Sequence, residues 1–214
     1  MESSIVRSHV KDYGQEKEIL EKVKTICKSN GYERFKHNTF DENLFYLSIA
    51  RHLGLNSRLL DWTAGLEDAL AFLIEDKEDY MQHDGCLWLL IYDQNSYQVE
   101  KDKDPFSIED GRIHILREDY FIPDDTNDFP VGIDRRNKQH GYFTVQAEKF
   151  LDVPFEKMAK ASGLELQKYI IPKETKQLLA MGNKLPSLTW LYGSQNDSIV
   201  EKVRGLNKLY EYKN

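Results

Sequence analysis

The chain has 214 residues, 40% hydrophobic, 30% charged and 12% aromatic, with a net charge of −7 at pH 7. That length and apolar content suffice to bury a core without a metal or a disulfide, and they exclude a disordered chain. The acidic balance argues against a generic nucleic-acid partner, because attraction to phosphate supplies most non-specific affinity.

No window approaches the ~18 consecutive apolar residues of a membrane span. The opening Met1-Glu2-Ser3-Ser4-Ile5-Val6 has no apolar stretch of signal-peptide length. A cytoplasmic protein with no membrane partner is therefore expected. Cys27 and Cys86 read as small buried hydrophobes rather than as a disulfide. The short basic clusters Arg34/Lys36/His37 and Arg135/Arg136/Lys138 read as solvated surface.

Taken in chain order, Ile5 to Val10 alternates as a short strand does. From Gln15 to Ser29, Ile19, Leu20, Val23, Ile26 and Cys27 share one helical face, and Asn30-Gly31 supplies a stop. Asp41 caps a second helix, apolar over much of its girth and ended by Gly54. His52 falls in its last turn, where the helix dipole favours a protonated imidazole and makes it a candidate proton donor. Ser57 to Thr63 reads as an extended connection or short strand. A third helix, Leu66 to Glu75, carries the apolar run Ala69 to Ile74 and is expected to be central. Cys86 to Tyr92 is a continuous apolar run, expected to be a strand buried on both faces.

Asp93 to Asp110 is a polar loop. Ile113 and Ile115 alternate with Arg112 and His114, which predicts a strand wet on one face. An acidic loop spans Pro123 to Pro130. Tyr142 to Val145 is a strand, Phe155 to Ala161 a short helix ended by Gly163, and Leu166 to Ile171 a strand stopped by Pro172. The remainder is helical pieces broken by Gly182, Pro186, Gly193 and Gly205. The pattern has no repeat and no regular strand–helix alternation. It predicts an α+β fold: a single domain over residues 1–214, its N-terminal helices packed on a mixed or antiparallel sheet.

One stretch concentrates the polar chemistry. Arg51, His52, Arg58, Asp61 and Trp62 lie between two apolar helices, in a position where unpaired polar groups are costly. A purely architectural account has Asp61 capping the next helix, Arg58 pairing with Asp61, Trp62 filling core and His52 satisfied at a helix end. The functional account makes the same residues a site.

The pattern H-x-G-x-x-x-R-x-L-D-W-T, formed by His52, Gly54, Arg58, Leu60, Asp61, Trp62 and Thr63, resembles the signature of the FRG domain family. Arg51, Leu53, Asn56 and Ser57 depart from the family core. The family's naming motif, Phe/Tyr-Arg-Gly, has Val6-Arg7-Ser8 as its counterpart, which keeps only the arginine. Further segments are similar: Asp84 to Trp88, then Arg135, Gln139, Gly141 and Phe143, then Ile171-Pro172 through Leu179. The similarity spans residues 44 to about 206.

The order of elements is also similar, more distantly, to that of ADP-ribosyltransferase domains. On that comparison Arg7 is the opening arginine, and Asp61-Trp62-Thr63 stand where those domains carry a Ser-Thr-Ser-like segment. Gly141 to Val145 closes the pattern. The resemblance implies NAD as substrate, a macromolecular acceptor of unknown identity, and the role of an enzyme or a toxin or defence effector. His52, Arg58, Asp61 and Gln139 would be catalytic; Arg7, Trp62, Thr63 and Arg135 would bind the cofactor.

The chemistry is coherent. An arginine fork grips pyrophosphate, an aromatic stacks on the nicotinamide, and a carboxylate stabilises an oxocarbenium-like transition state. The pattern departs at one place. No Glu precedes Gly141; Arg135 and Gln139 stand there, so Asp134 or Asp61 would substitute.

Two rival classes remain. A non-catalytic sensor would bind a nucleotide-type small molecule through Arg7, His52, Arg58 and Gln139. A protein-interaction module would present Tyr192, Tyr210 and Tyr212. The sequence has no Gly-rich phosphate loop and no G-x-S-x-G elbow. Its six histidines are scattered, so no metal is expected.

Overall fold

The computed structural model describes residues 2–30, 41–101, 103–117, 141–182, 185 and 197–213. Gln139, Arg135, Asp134, Tyr192, the Pro123–Pro130 loop and both basic clusters lie outside them.

The chain opens with a short helix, α1 (Ser4–Arg7), where alternation predicts a strand. Tertiary contacts decide against the strand. Ser4 Oγ donates to the Ser57 carbonyl at 3.2 Å and accepts from the Ser57 amide at 2.8 Å, while Ile5 N donates to the same carbonyl at 3.2 Å. His9 then reverses the chain at φ 56°, and Val10 bridges to Tyr212.

α2 (Gln15–Ser29) and α3 (Glu42–His52) form as their apolar spacing predicts. The Asp41 carboxylate accepts from Leu44 N at 2.8 Å and so satisfies an otherwise orphaned amide. Residues Leu44 to Ala50 are all buried, because this helix is covered on every side. Gly54, at φ +94°, closes it. A Cβ there would meet Arg204 Nε at 2.7 Å, so both the angle and the space select glycine.

β1 (Leu60–Thr63) leads into α4 (Leu66–Leu73) and α5 (Lys77–Gln82). α4 is peripheral rather than central: only Asp68 and Ala71 are buried, and Leu66 is 64% exposed. β2 (Gly85–Ile91) is a strand, but it pairs with β6 (Glu165–Ile171) in a separate two-stranded sheet. It is not buried on both faces; Cys86, Leu89 and Ile91 are exposed. A continuous apolar run states that a segment packs, not how many of its faces do.

The larger sheet runs β1-β5-β4-β3, with β3 Glu100–Lys101, β4 Ile113–Arg117 and β5 Gly141–Gln146. β5 is antiparallel to both neighbours. β4 has no wet face along Ile113 to Leu116, because His114 is locked between two carboxylates. α6 (Phe155–Ala161) precedes β6, and α7 (Lys173–Met181) and α8 (Asp197–Gly205) follow it. The α+β expectation therefore holds.

Two apolar clusters flank the larger sheet. The first joins α2, α3 and α8 to Phe143 and Val145, through Leu20, Leu47, Ile49 and Val203, all fully buried. The second joins Ile113 and Ile115 to Phe155, Met158 and Leu164, with Leu60, Trp62, Leu90 and Tyr142 packed against it. Each fully buried Leu or Ile adds roughly 1.5–3 kcal/mol relative to exposure. The second cluster therefore anchors β1 through Leu60 and Trp62.

Candidate functional site

Alternation along β1 divides the central motif between two environments. Asp61 faces the helices. Its Oδ2 lies 2.7 Å from Arg51 Nη2, and its strand partner is Phe143. The Phe143 ring sits edge-on to His52 at 6.0 Å. Leu60 and Trp62 face the other way. The Trp62 indole N–H donates to Thr144 Oγ1 at 2.8 Å, and its ring lies 5.9 Å from Phe155. Thr63 Oγ1 accepts from Gly65 N at 3.0 Å and lies 3.3 Å from the buried Asp68 carboxylate.

Arg58 does not pair with Asp61. It is 2% exposed, and its Nε donates to Glu16 Oε2 at 2.5 Å, on a glutamate with no exposed surface. Its amide donates to Glu16 Oε1 at 2.8 Å. Its Nη2 reaches Glu148 Oε2 at 3.3 Å, and its guanidinium lies 4.6 Å from the Phe106 ring centroid. Burial pulls its pKa down, but the charge and hydrogen bonds of Glu16, helped by Glu148, outweigh that and raise it. Arg58 thus cross-links α2, β1 and the turn at Glu148–Phe150. Its surroundings are those of a structural ion pair.

Of the residues assigned to a cofactor, Trp62 and Thr63 line a hollow of about 290 Å³ between the two sheets, together with Trp88, Tyr92, Ile115 and Tyr142. A second hollow of about 600 Å³ adjoins it, sharing Tyr92 and Tyr142 and adding Gln94, Ser96, Tyr97 and Arg117. Arg7 is exposed on α1 and lines neither hollow. His52, Arg58 and Asp61 line neither as well. Gln139 and Arg135 lie outside the described residues.

Trp88, Tyr92, Tyr142 and Arg117 also line the hollows, although the motifs do not mark them as site residues. A signal for Arg117 existed: it continues the Ile113, Ile115 alternation and so shares their face. Its guanidinium lies 5.5 Å from the Tyr142 ring centroid, and its Nη1 donates to Tyr142 Oη at 3.3 Å.

Behind the segment 96–98 lies a third hollow, of about 450 Å³, lined by Glu100, Arg112 and His114. Here His114 Nδ1 contacts Glu100 Oε1, and Nε2 lies 2.7 Å from Asp110 Oδ1. Lys103 Nζ lies 2.5 Å from Glu100 Oε2, and Arg112 Nη2 lies 3.0 Å from Asp110 Oδ2. Burial raises the Asp110 carboxyl, but hydrogen bonds from His114 and Arg112 win and bring it to about 2. Burial also raises Glu100, and Lys103 and His114 win there too, so its pKa is lowered. Tyr97, which opens onto the same hollow, is pushed up to about 12 by burial and by Glu100.

Among the described residues no three of His, Cys, Asp and Glu are grouped to hold a metal ion, and no helix is long and apolar enough to cross a membrane.

An α+β scaffold with an aromatic trough between its sheets is the class these features define. Residues 1–82 match the model of the FRG domain family, in agreement with the resemblance of the central motif. The match takes in α1 to α5 and β1 and ends before the run that begins at Asp84. No curated protein and no solved structure matches the chain.

Proposed function

We propose that this chain binds a nucleotide-type ligand of the NAD class in the trough formed by the two adjoining hollows. One observation carries the reading: four aromatic side chains, Trp62, Trp88, Tyr92 and Tyr142, converge on one interlayer cleft from three strands and the loop after β2. Ligand clefts are commonly lined by aromatic groups with a few placed polar ones, and flat rings insert between such walls. Trp62 is held in its rotamer by Thr144 and Phe155, so the wall is formed in advance of any ligand. That preorganisation lowers the entropy cost of binding.

Turnover by ADP-ribosyl transfer is the second reading. It is favoured by the presence of Trp62 and Thr63, two residues of the FRG motif, in the trough wall. Asp61 then acts on the scaffold rather than on the ligand, since the pleat directs it to the helix face.

The test is the thermal midpoint of the purified chain with and without NAD, with free nicotinamide assayed in the same tube. Ligand at one hundred times its dissociation constant adds about 2.7 kcal/mol. For a domain of this size that shifts the midpoint by roughly 5 to 10 °C. A shift with nicotinamide release supports the transferase reading. A shift without release supports a nucleotide sensor. No shift and no release removes NAD as the ligand.

A further inference from the structure

The two hollows differ in chemistry as well as size. The smaller is walled by Trp62, Trp88, Leu90 and Ile115, an apolar and aromatic set. The larger is walled by amide and hydroxyl side chains, Gln94, Asn95, Ser96 and Gln98, together with Arg117. Among the described residues that line the two hollows, Arg117 is the sole one with a formal charge of either sign.

Position along β4 sets the spacing between these two chemistries. Ile115 belongs to the apolar end and Arg117 to the polar end, two residues apart on the same face of one strand. At about 3.3 Å per residue the offset is roughly 6.6 Å. A single ribose spans a gap of that order between a base and its 5′-phosphate.

We infer that the trough recognises a nucleoside 5′-phosphate unit, with the base between Trp62 and Trp88 and the phosphate on the guanidinium of Arg117. This rests on the reading that the trough holds a nucleotide, and it specifies which part of the nucleotide goes where. An arginine fork suits phosphate oxygens better than any other side chain does, because its donors are planar and paired. The Tyr142 ring beneath the guanidinium, and the bond from Nη1 to the Tyr142 hydroxyl, orient that fork. Tyr142 is therefore a positioning residue. Its strand position opposite Trp62 joins the two ends of the trough through one element. A neutral nucleoside fills the apolar end alone and forgoes the charged contact.

The experiment is calorimetric titration of the full chain with adenosine, AMP, nicotinamide mononucleotide and NAD, for the native chain, Arg117→Met and Tyr142→Phe. Arg117 is exposed, so the variant keeps the native thermal midpoint, which is checked first. In the native chain the phosphate adds affinity, so that AMP binds more tightly than adenosine by about tenfold or more, as a hydrogen-bonded charge pair does. Arg117→Met removes that increment for AMP, nicotinamide mononucleotide and NAD and leaves adenosine unchanged. Tyr142→Phe keeps the ring and loses the hydroxyl, and the phosphate increment falls by a few-fold.

Equal affinity of the native chain for adenosine and AMP overturns the inference. So does an Arg117→Met variant that binds AMP like the native chain, and so does failure of every ligand in the panel to bind. The underlying reading fails separately. If AMP binds through Arg117 while NAD neither binds nor is cleaved, the phosphate subsite stands and NAD is not the ligand. If NAD is bound and cleaved identically by the native chain and by Arg117→Met, the NAD reading stands and the phosphate lies elsewhere.

Discussion

The two faces of the larger sheet are made by the same strands and are chemically unlike. On the helix face, Phe143, Val145 and Leu116 disappear under α2 and α3, and the charged groups nearby are tied in pairs, Arg58 with Glu16 and Arg51 with Asp61. On the opposite face, Trp62, Tyr142 and Thr144 leave room for a trough. Leu60-Asp61-Trp62-Thr63 contributes to both. Contiguity in sequence is therefore an incomplete guide to contiguity in a site when the motif lies on a strand: the pleat sends Asp61 and Trp62 to opposite sides, while Thr63, at the strand's end, reaches the trough.

This contrast predicts that changes on the helix face cost stability and spare the ligand. The largest effect is expected at Arg58. Arg58→Met leaves the Glu16 carboxylate buried and unpaired, which costs about 3–5 kcal/mol. Urea denaturation measures it, and a double variant with Glu16→Leu recovers much of the loss, because an apolar pair replaces the buried ions. A midpoint for Arg58→Met close to the native value would mean that Arg58 is not the scaffold's clamp, and the division of labour would collapse.

A middling effect is expected at the His114 cluster beside β4, and it depends on pH. Asp110 is held at about 2 against an ordinary 3.8, and Glu100 is lowered as well. Carboxyls depressed in the folded state lend stability when ionised. That contribution is complete above about pH 4 and is lost as pH falls from there towards about 2. His114→Gln weakens both contacts, so its thermal midpoint lies below native above pH 4 and converges with it on acidification. A gap that is unchanged down to pH 2 would show that the His114 contacts do not hold these carboxylates.

The smallest effect is expected at Asp61. Its pair with Arg51 is partly exposed on both sides, so Asp61→Asn costs under about 1 kcal/mol. Ligand affinity in calorimetry stays at the native value. A large loss of affinity would return Asp61 to the binding site and sharpen the contrast in the other direction.

The legible parts of the fold were those in which local signals and burial agree. The face formed by Ile19, Leu20, Val23 and Cys27 reads as a helix and is one, and Asp41 caps as its position before an apolar run suggests. Gly163 ends α6 at φ +73°. Illegible features depend on distant partners. Ser57 converts the alternating opening segment into α1, and Glu16, far upstream, claims Arg58 before Asp61 can. The exposure of Cys86 and Leu89 follows from which strand β2 pairs with, a fact no window along the sequence contains. Of the site, Trp62 and Thr63 were legible through the motif. Arg117 was available in the alternation of β4 but carries no motif of its own.

Residues 199–213 are woven into residues 5–56. Val10 bridges to Tyr212, the amide of Lys213 donates to the His9 carbonyl at 2.6 Å, and the Tyr210 hydroxyl reaches the Asn56 carbonyl at 2.8 Å. Ile199, Val203 and Tyr210 complete the apolar cluster begun by Ile5 and Leu20. The stretch matched by the FRG family model, residues 1–82, therefore lacks part of its own interior without residues 199–210. A chain cut before Asp197 would show α2 and α3 with a bare apolar flank, open to chaperones and proteases.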